Sequence, residues 1–245
     1  MRAGSGALAG GLASAGLRPP ARRRWADLRA RTLSALILAP VALGAMWVGG
    51  PFFLALVAVL ALGLAYEWAG LCRAGALGRE SLGCGALAVA LWAVCLVWLR
   101  ADPIAGRANV IGLALVVWGS DIGAYLAGRL IGGPPLAPRI SPSKTCAGAA
   151  GGALSSALIA ACAAKLLVLD ANIPEALLLG AGLSVIGQAG DLAESAIKRR
   201  CGVKDSGRLI PGHGGLLDRL DAAMAAVPAA AALSLALGRG VVLWQ

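Results

Sequence analysis

Long apolar runs separated by short polar breaks make up most of the chain. The runs fall at about 32–50, 51–70, 81–99, 109–130, 148–169, 174–195 and 217–238. Each is near the ~20 residues that a helix needs to cross a hydrocarbon core. The first two are joined by "GGPFF", which spells a tight turn. Lipid offers no partner to backbone N–H and C=O groups, so a spanning segment must satisfy them internally, as a helix does. The pattern therefore predicts an all-α fold, a polytopic transmembrane bundle of about seven spanning helices. Residues 1–30 break the pattern, being rich in Gly, Ala and Arg with Pro19-Pro20 and Arg22-Arg23-Arg24. They read as a disordered, basic, cytoplasmic lead-in to a single membrane domain over 31–245. Their lack of acids leaves an organelle transit peptide open, against which their serines are few. Glycines interrupt the stretch 7–17, so no cleavable signal stands out.

Composition strengthens the membrane reading. The chain is 59% hydrophobic and only 14% charged, against about 25% charged for a soluble domain. A net charge of +10 invites a nucleic-acid partner. That class is set aside, because the basic residues sit in the breaks, where they face anionic lipid or a polyphosphate. With the N-terminus cytoplasmic, the far face receives only Arg100, Arg107, Lys165 and Arg239 of the 22 Lys and Arg. This bias sets an N-terminus-in orientation and, with seven spans, a C-terminus on the other side. The six cysteines show neither CxxC nor metal spacing and read as small buried hydrophobes.

The acids carry the chemistry. Asp121 lies inside the fourth run, Asp191 and Glu194 near the cytoplasmic end of the sixth, and Asp218 and Asp221 at the start of the seventh. A carboxylate at membrane depth is costly unless paired or hydrated, which makes each a functional candidate. A structural ion pair, such as Asp191 with Lys198, explains any one of them but not the set. Asp191, Glu194 and Lys198 share one helix face, and so do Asp218 and Asp221. Two helix ends thus aim carboxylates at one point, and hard oxygen ligands with room for water suit Mg²⁺. Lys144, Lys198, Arg199, Lys204 and Arg219 suit a polyphosphate. Together they describe metal-assisted phosphoryl or nucleotidyl transfer.

Two further stretches fit that chemistry. In "RISPSKTCAGAAGG", Ser141, Ser143, Lys144 and Thr145 precede a Gly-rich helix start, an arrangement that favours an anion. Taken alone, the Ser and Thr are more often helix caps. Gly148 and Gly152 form a GxxxG that reads as helix packing. His213 is the only histidine, so an imidazole cage or a triad within one chain is excluded. In "GHGG" it reads equally as a hydrogen-bond donor to a phosphate or base and as a solvated loop residue.

The run "SAIKRRCGVKDSGRLIPGHGGLLDRLDA" resembles the signature of the phosphatidate cytidylyltransferases, or CDP-diacylglycerol synthases. Ser195, Lys198, Arg199, Lys204, Asp205, His213, Gly214, Gly215, Asp218, Arg219 and Asp221 match it. "SDIGAYLAGRLIG", with Asp121 and Tyr125, and "SPSKT", with Ser141, Lys144 and Thr145, are similar to the family's upstream motifs. "GDLAES" is similar to its metal-binding helix end. The resemblance covers the chain from about 31 onward. It departs at Cys146 and Ala147, where many members carry Trp and an acid or amide. The middle also looks one helix short.

The resemblance implies attack of the phosphatidic acid phosphate on the α-phosphorus of CTP, giving CDP-diacylglycerol and pyrophosphate in phospholipid synthesis. It implies Mg²⁺ on Asp191, Asp218 and Asp221, with a monovalent ion such as K⁺ sharing the site, and Lys144 as a catalytic cation. Asp121, Tyr125, Ser141, Thr145, Lys198, Arg199, Lys204, His213, Gly214, Gly215 and Arg219 would contact substrate. The implied setting is a bacterial inner membrane with the active site at its cytoplasmic face, and a homodimer is left open. A transporter is the main rival, but it would spread its acids toward the midplane. The His-Gly-Gly and Asp-Arg-x-Asp spacing speaks against another CTP-using lipid enzyme, such as a polyprenol kinase.

Overall fold

The computed structural model describes residues 36–75, 78–167, 171–207, 209, 214–238 and 242–244. The lead-in over 1–30 lies outside them. Over the described residues the chain forms α1 (Leu36–Val48), α2 (Gly50–Ala74), α3 (Arg79–Arg100) and α4 (Gly106–Leu130). A short hairpin follows, β1 (Pro135–Ala137) and β2 (Ser141–Thr145), and then α5 (Cys146–Leu167), α6 (Ile173–Arg200) and α7 (Leu217–Leu237). Six of the helices, α2 to α7, are long and apolar enough to cross a membrane, and α1 is a shorter apolar helix. The all-α bundle holds, and α1 and α2 meet at the expected turn, at Gly49.

The hairpin is an addition that the apolar pattern did not show. β1 and β2 are antiparallel, with Pro135 opposite Thr145 and Ala137 opposite Ser141. A link between two spans leaves a stretch of backbone whose N–H and C=O groups need partners, and folding it on itself supplies them. Helix α6 also runs past the expected 195 to Arg200. Its last turn holds Lys198, Arg199 and Arg200, cations that suit a helix C-terminus.

Helix α4 packs on α5, α5 on α6 and α6 on α7, while α2 pairs with α3, which rests on α7. The core holds Phe53, Leu64, Trp92, Leu99, Val116 and Ala226. Leu62, Leu87, Leu178 and Leu235 are exposed, which in lipid carries no hydrophobic penalty. The α4–α5 seam is close because its glycines allow it. A Cβ at position 151 would lie 2.2 Å from the Ala127 Cβ, and one at 148 would lie 2.9 Å from the Ala124 carbonyl oxygen. Gly148 and Gly152 are thus packing residues, as their spacing suggests. Successive spans alternate in direction. One face therefore gathers the C-terminal ends of α2, α4 and α6 and the N-terminal ends of α3, α5 and α7.

Candidate active site

At that face a cavity of about 490 Å³ opens between α4, β2, the start of α5 and α6. Asp121, Tyr125 and Arg129 line it from α4, Ser143, Lys144 and Thr145 from β2, and Gln188 and Asp191 from α6. Lys144 forms an ion pair with Asp191, which joins the hairpin to α6. The structural pairing considered from sequence, Asp191 with Lys198, does not form, because the hairpin brings Lys144 to Asp191 instead. Thr145 Oγ1 accepts the Gly148 N–H at 3.0 Å, so Thr145 caps α5 and lines the cavity at once. Asp121 lies within electrostatic range of Asp191, Lys144 and Arg219. Asp221, on α7, lies within range of Asp191 and Glu194.

A second charge group adjoins the first. Lys198 is buried and faces Glu194 Oε1 at 3.3 Å and the Asp218 carboxylate. Asp218 also accepts the N–H groups of Ser206 at 3.0 Å and Gly215 at 3.1 Å. The acids therefore divide by task. Asp121, Asp191 and Lys144 line the cavity, with Arg219 within electrostatic range of Asp121 and Asp221 within range of Asp191. Asp218 braces the start of α7 through Lys198, Ser206 and Gly215, and Glu194 touches both groups.

Among the described residues, no three carboxylate, imidazole or thiol side chains stand close enough to grip a metal ion by themselves. Asp191 and Asp221 approach from neighbouring helices beside Glu194, a buried acid that faces Asp221 as well as Lys198. That donor set fits Mg²⁺, which takes one or two carboxylates and completes its shell with phosphate oxygens and water. Asp218 already holds Lys198 and the N–H groups of Ser206 and Gly215.

A model of the cytidylyltransferase family matches residues 76–237. The chain belongs to the cytidylyltransferase family. It is 36% identical to the phosphatidate cytidylyltransferase of Brucella suis biovar 1 (strain 1330), over 82% of this chain and 90% of the relative. It is 51% identical to that of Staphylococcus epidermidis (strain ATCC 35984), over 46% of this chain and 44% of the relative. It is 43% identical to that of Haemophilus influenzae (strain ATCC 51907), over 52% of this chain and 46% of the relative.

Not every expected site residue of this family member meets the cavity. Ser141 pairs with Ala137 in the hairpin, whereas its neighbour Ser143 lines the cavity. Arg199 donates to the carbonyls of Ile140 at 3.3 Å and Val203 at 3.2 Å, which ties the hairpin to the end of α6. Lys204 is exposed. Gly214 and Gly215 lie just before α7, and His213 lies outside the described residues.

Glu67, on α2, escaped the sequence reading. It is only 2% exposed. Its carboxylate accepts the Leu217 N–H at 2.8 Å, the Ser206 hydroxyl at 3.2 Å and the Leu209 N–H at 3.4 Å. A Cβ at 207 or 215 would collide with it. Three backbone or hydroxyl donors around one acid fix the loop before α7, and with it Asp218 and Asp221. The signal was present, since Glu67 is an ionisable residue inside the second apolar run.

Proposed function

We propose that CTP and phosphatidic acid react in the cavity around Lys144 and Asp191, where the lipid phosphate attacks the α-phosphorus of CTP. The bond to the pyrophosphate leaving group breaks as the new P–O bond forms. The products are CDP-diacylglycerol and pyrophosphate. The observation that carries this reading is the meeting of Asp121, Lys144 and Asp191 around one cavity of a cytidylyltransferase-family chain, with Arg219 and Asp221 within electrostatic range of them.

The attacking phosphate is already ionised, so no strong general base is needed. What the chain must supply is position and charge. Lys144 and Arg219 are placed to bind phosphate oxygens and to offset the charge that builds on the transferred phosphoryl group. Lys144 pairs with Asp191, and a phosphate would compete for it. Mg²⁺, held by Asp191 and Asp221 with Glu194 beside them, would supply Lewis-acid stabilisation of the phosphate charge. Asp218 keeps Asp221 at its station by anchoring the start of α7.

The site suits a reaction between a bilayer lipid and a soluble nucleotide. On α4, cavity-lining Asp121 and Tyr125 alternate with exposed Ile122 and Leu126, so lipid meets the cavity wall directly. The bias of Lys and Arg supports a cytoplasmic location for this face, where CTP is found. The named relatives are bacterial, which supports a bacterial inner membrane.

Purified protein in detergent should convert phosphatidic acid to CDP-diacylglycerol only with CTP and Mg²⁺ present. Turnover with ATP equal to that with CTP, or turnover undiminished by a chelator, would overturn the reading.

A further inference from the structure

A second cavity, of about 840 Å³, lies at the opposite end of the bundle. The starts of α2 and α4 and the ends of α3 and α5 enclose it. Phe53, Leu54, Ile111 and Leu166 give it an apolar wall, and Arg100 and Arg107 also line it. Arg100 donates to the carbonyls of Met46 at 2.7 Å and Trp47 at 3.1 Å. These bonds fix its guanidinium at the rim, where α1 ends. The Arg107 guanidinium carbon lies 4.7 Å from the centre of a Trp47 ring.

The two guanidiniums lie within electrostatic range and repel one another. Among the described residues, no ion pair engages either. Asp102 lines the same cavity, but its Oδ1 is taken by the N–H groups of Ile104 at 2.9 Å and Ala105 at 2.8 Å. The active-site chemistry has no use for this cavity, because α4 and α5 separate it from Lys144 by most of a membrane span.

We propose that this far cavity binds an anionic phospholipid, with its phosphate at Arg100 and Arg107 and an acyl chain along the apolar wall. Two like charges held close at a membrane boundary are stabilised by one anion between them, and the planar guanidinium fork matches phosphate oxygens. Trp47 marks the boundary, as tryptophan does at headgroup level. The apolar wall distinguishes a lipid from a free phosphate, since only a lipid brings hydrocarbon to cover it.

Native mass spectrometry of the full-length protein tests the proposal, with phosphatidylglycerol and phosphatidylcholine of matched chains as probes. The protein should retain phosphatidylglycerol in preference. Arg107→Gln should weaken that binding about fivefold, the effect of one cation near an anionic surface, and leave CTP-dependent turnover unchanged. Lys144→Ala should leave it intact, which separates this cavity from the active site. Arg100 caps α1, so Arg107→Gln is the deciding variant. Equal retention of the two lipids, undiminished binding in Arg107→Gln, or displacement of the lipid by inorganic phosphate would each overturn the proposal.

Discussion

The backbone N–H of Leu217 donates to the Glu67 carboxylate at 2.8 Å, so a buried acid on α2 holds the first residue of α7. The same carboxylate takes the Ser206 hydroxyl. It thereby sets the position of the loop that presents Asp218 and Asp221. Glu67 is a positioning residue, since it reaches the site through other groups.

Glu67→Ala should lower kcat at least tenfold while changing KM for CTP little, because it misplaces α7 without touching nucleotide. Bonds to a charged acceptor contribute about 1.5–3 kcal/mol each, so the melting temperature should fall as well. Glu67→Gln keeps two acceptor lone pairs and should recover part of the rate. Equal kinetics for Glu67→Ala and wild type would remove this role.

Asp221→Asn and Asp191→Asn should each abolish turnover with the fold intact, because each removes a ligand from the proposed metal set. Asp218→Asn should abolish turnover too, but with a loss of stability. It strips one of two carboxylate partners from buried Lys198, and breaking a buried pair costs up to about 3–5 kcal/mol. Thermal unfolding in detergent separates the two classes. An unchanged melting temperature in Asp218→Asn would contradict its bracing role.

Removing divalent cations with a chelator should stop the reaction, and adding Mg²⁺ should restore it. Asp221→Asn should not be rescued at any Mg²⁺ concentration that saturates wild type. Rescue to the wild-type rate would place the ion elsewhere.

Lys144→Ala should lower kcat/KM for CTP, and Lys144→Arg should recover only part of it. Lys144 follows Pro142 on β2 and meets Asp191 as a compact charge. A guanidinium carries its donors in a planar fork and needs another approach. Full activity in Lys144→Arg, with altered membrane insertion in Lys144→Ala, would reduce the residue to a headgroup anchor.

Gly151→Ala should lower the melting temperature. Its new methyl group would sit 2.2 Å from the Ala127 Cβ in the α4–α5 seam, and overpacking of this kind costs about 1–3 kcal/mol. The rate should fall with it, since the seam sets Asp121 against β2. A melting curve identical to wild type would mean that the seam is looser than its contacts indicate.

The sequence by itself determined the solvent, the all-α architecture and which acids call for a reason. Apolar length decides whether a segment spans, and the cost of burying charge decides which acids need a reason. Both are local properties, legible residue by residue. The signature around Lys198 and Asp221 likewise named the family before any geometry was known. Which acid meets which base was settled only by the tertiary structure. Asp191 and Lys198 are nearly two turns apart on one helix, yet the partner of Asp191 is Lys144, brought in by a hairpin with no apolar pattern of its own. Asp218 and Asp221 share a helix face, yet one braces a loop and the other faces Asp191 and Glu194. Glu67 gains its role from residues about 140–150 positions away in sequence. Pairing over such separations depends on how the helices pack, and the packing here depends on glycine contacts of a few ångströms, which no single helix can express alone.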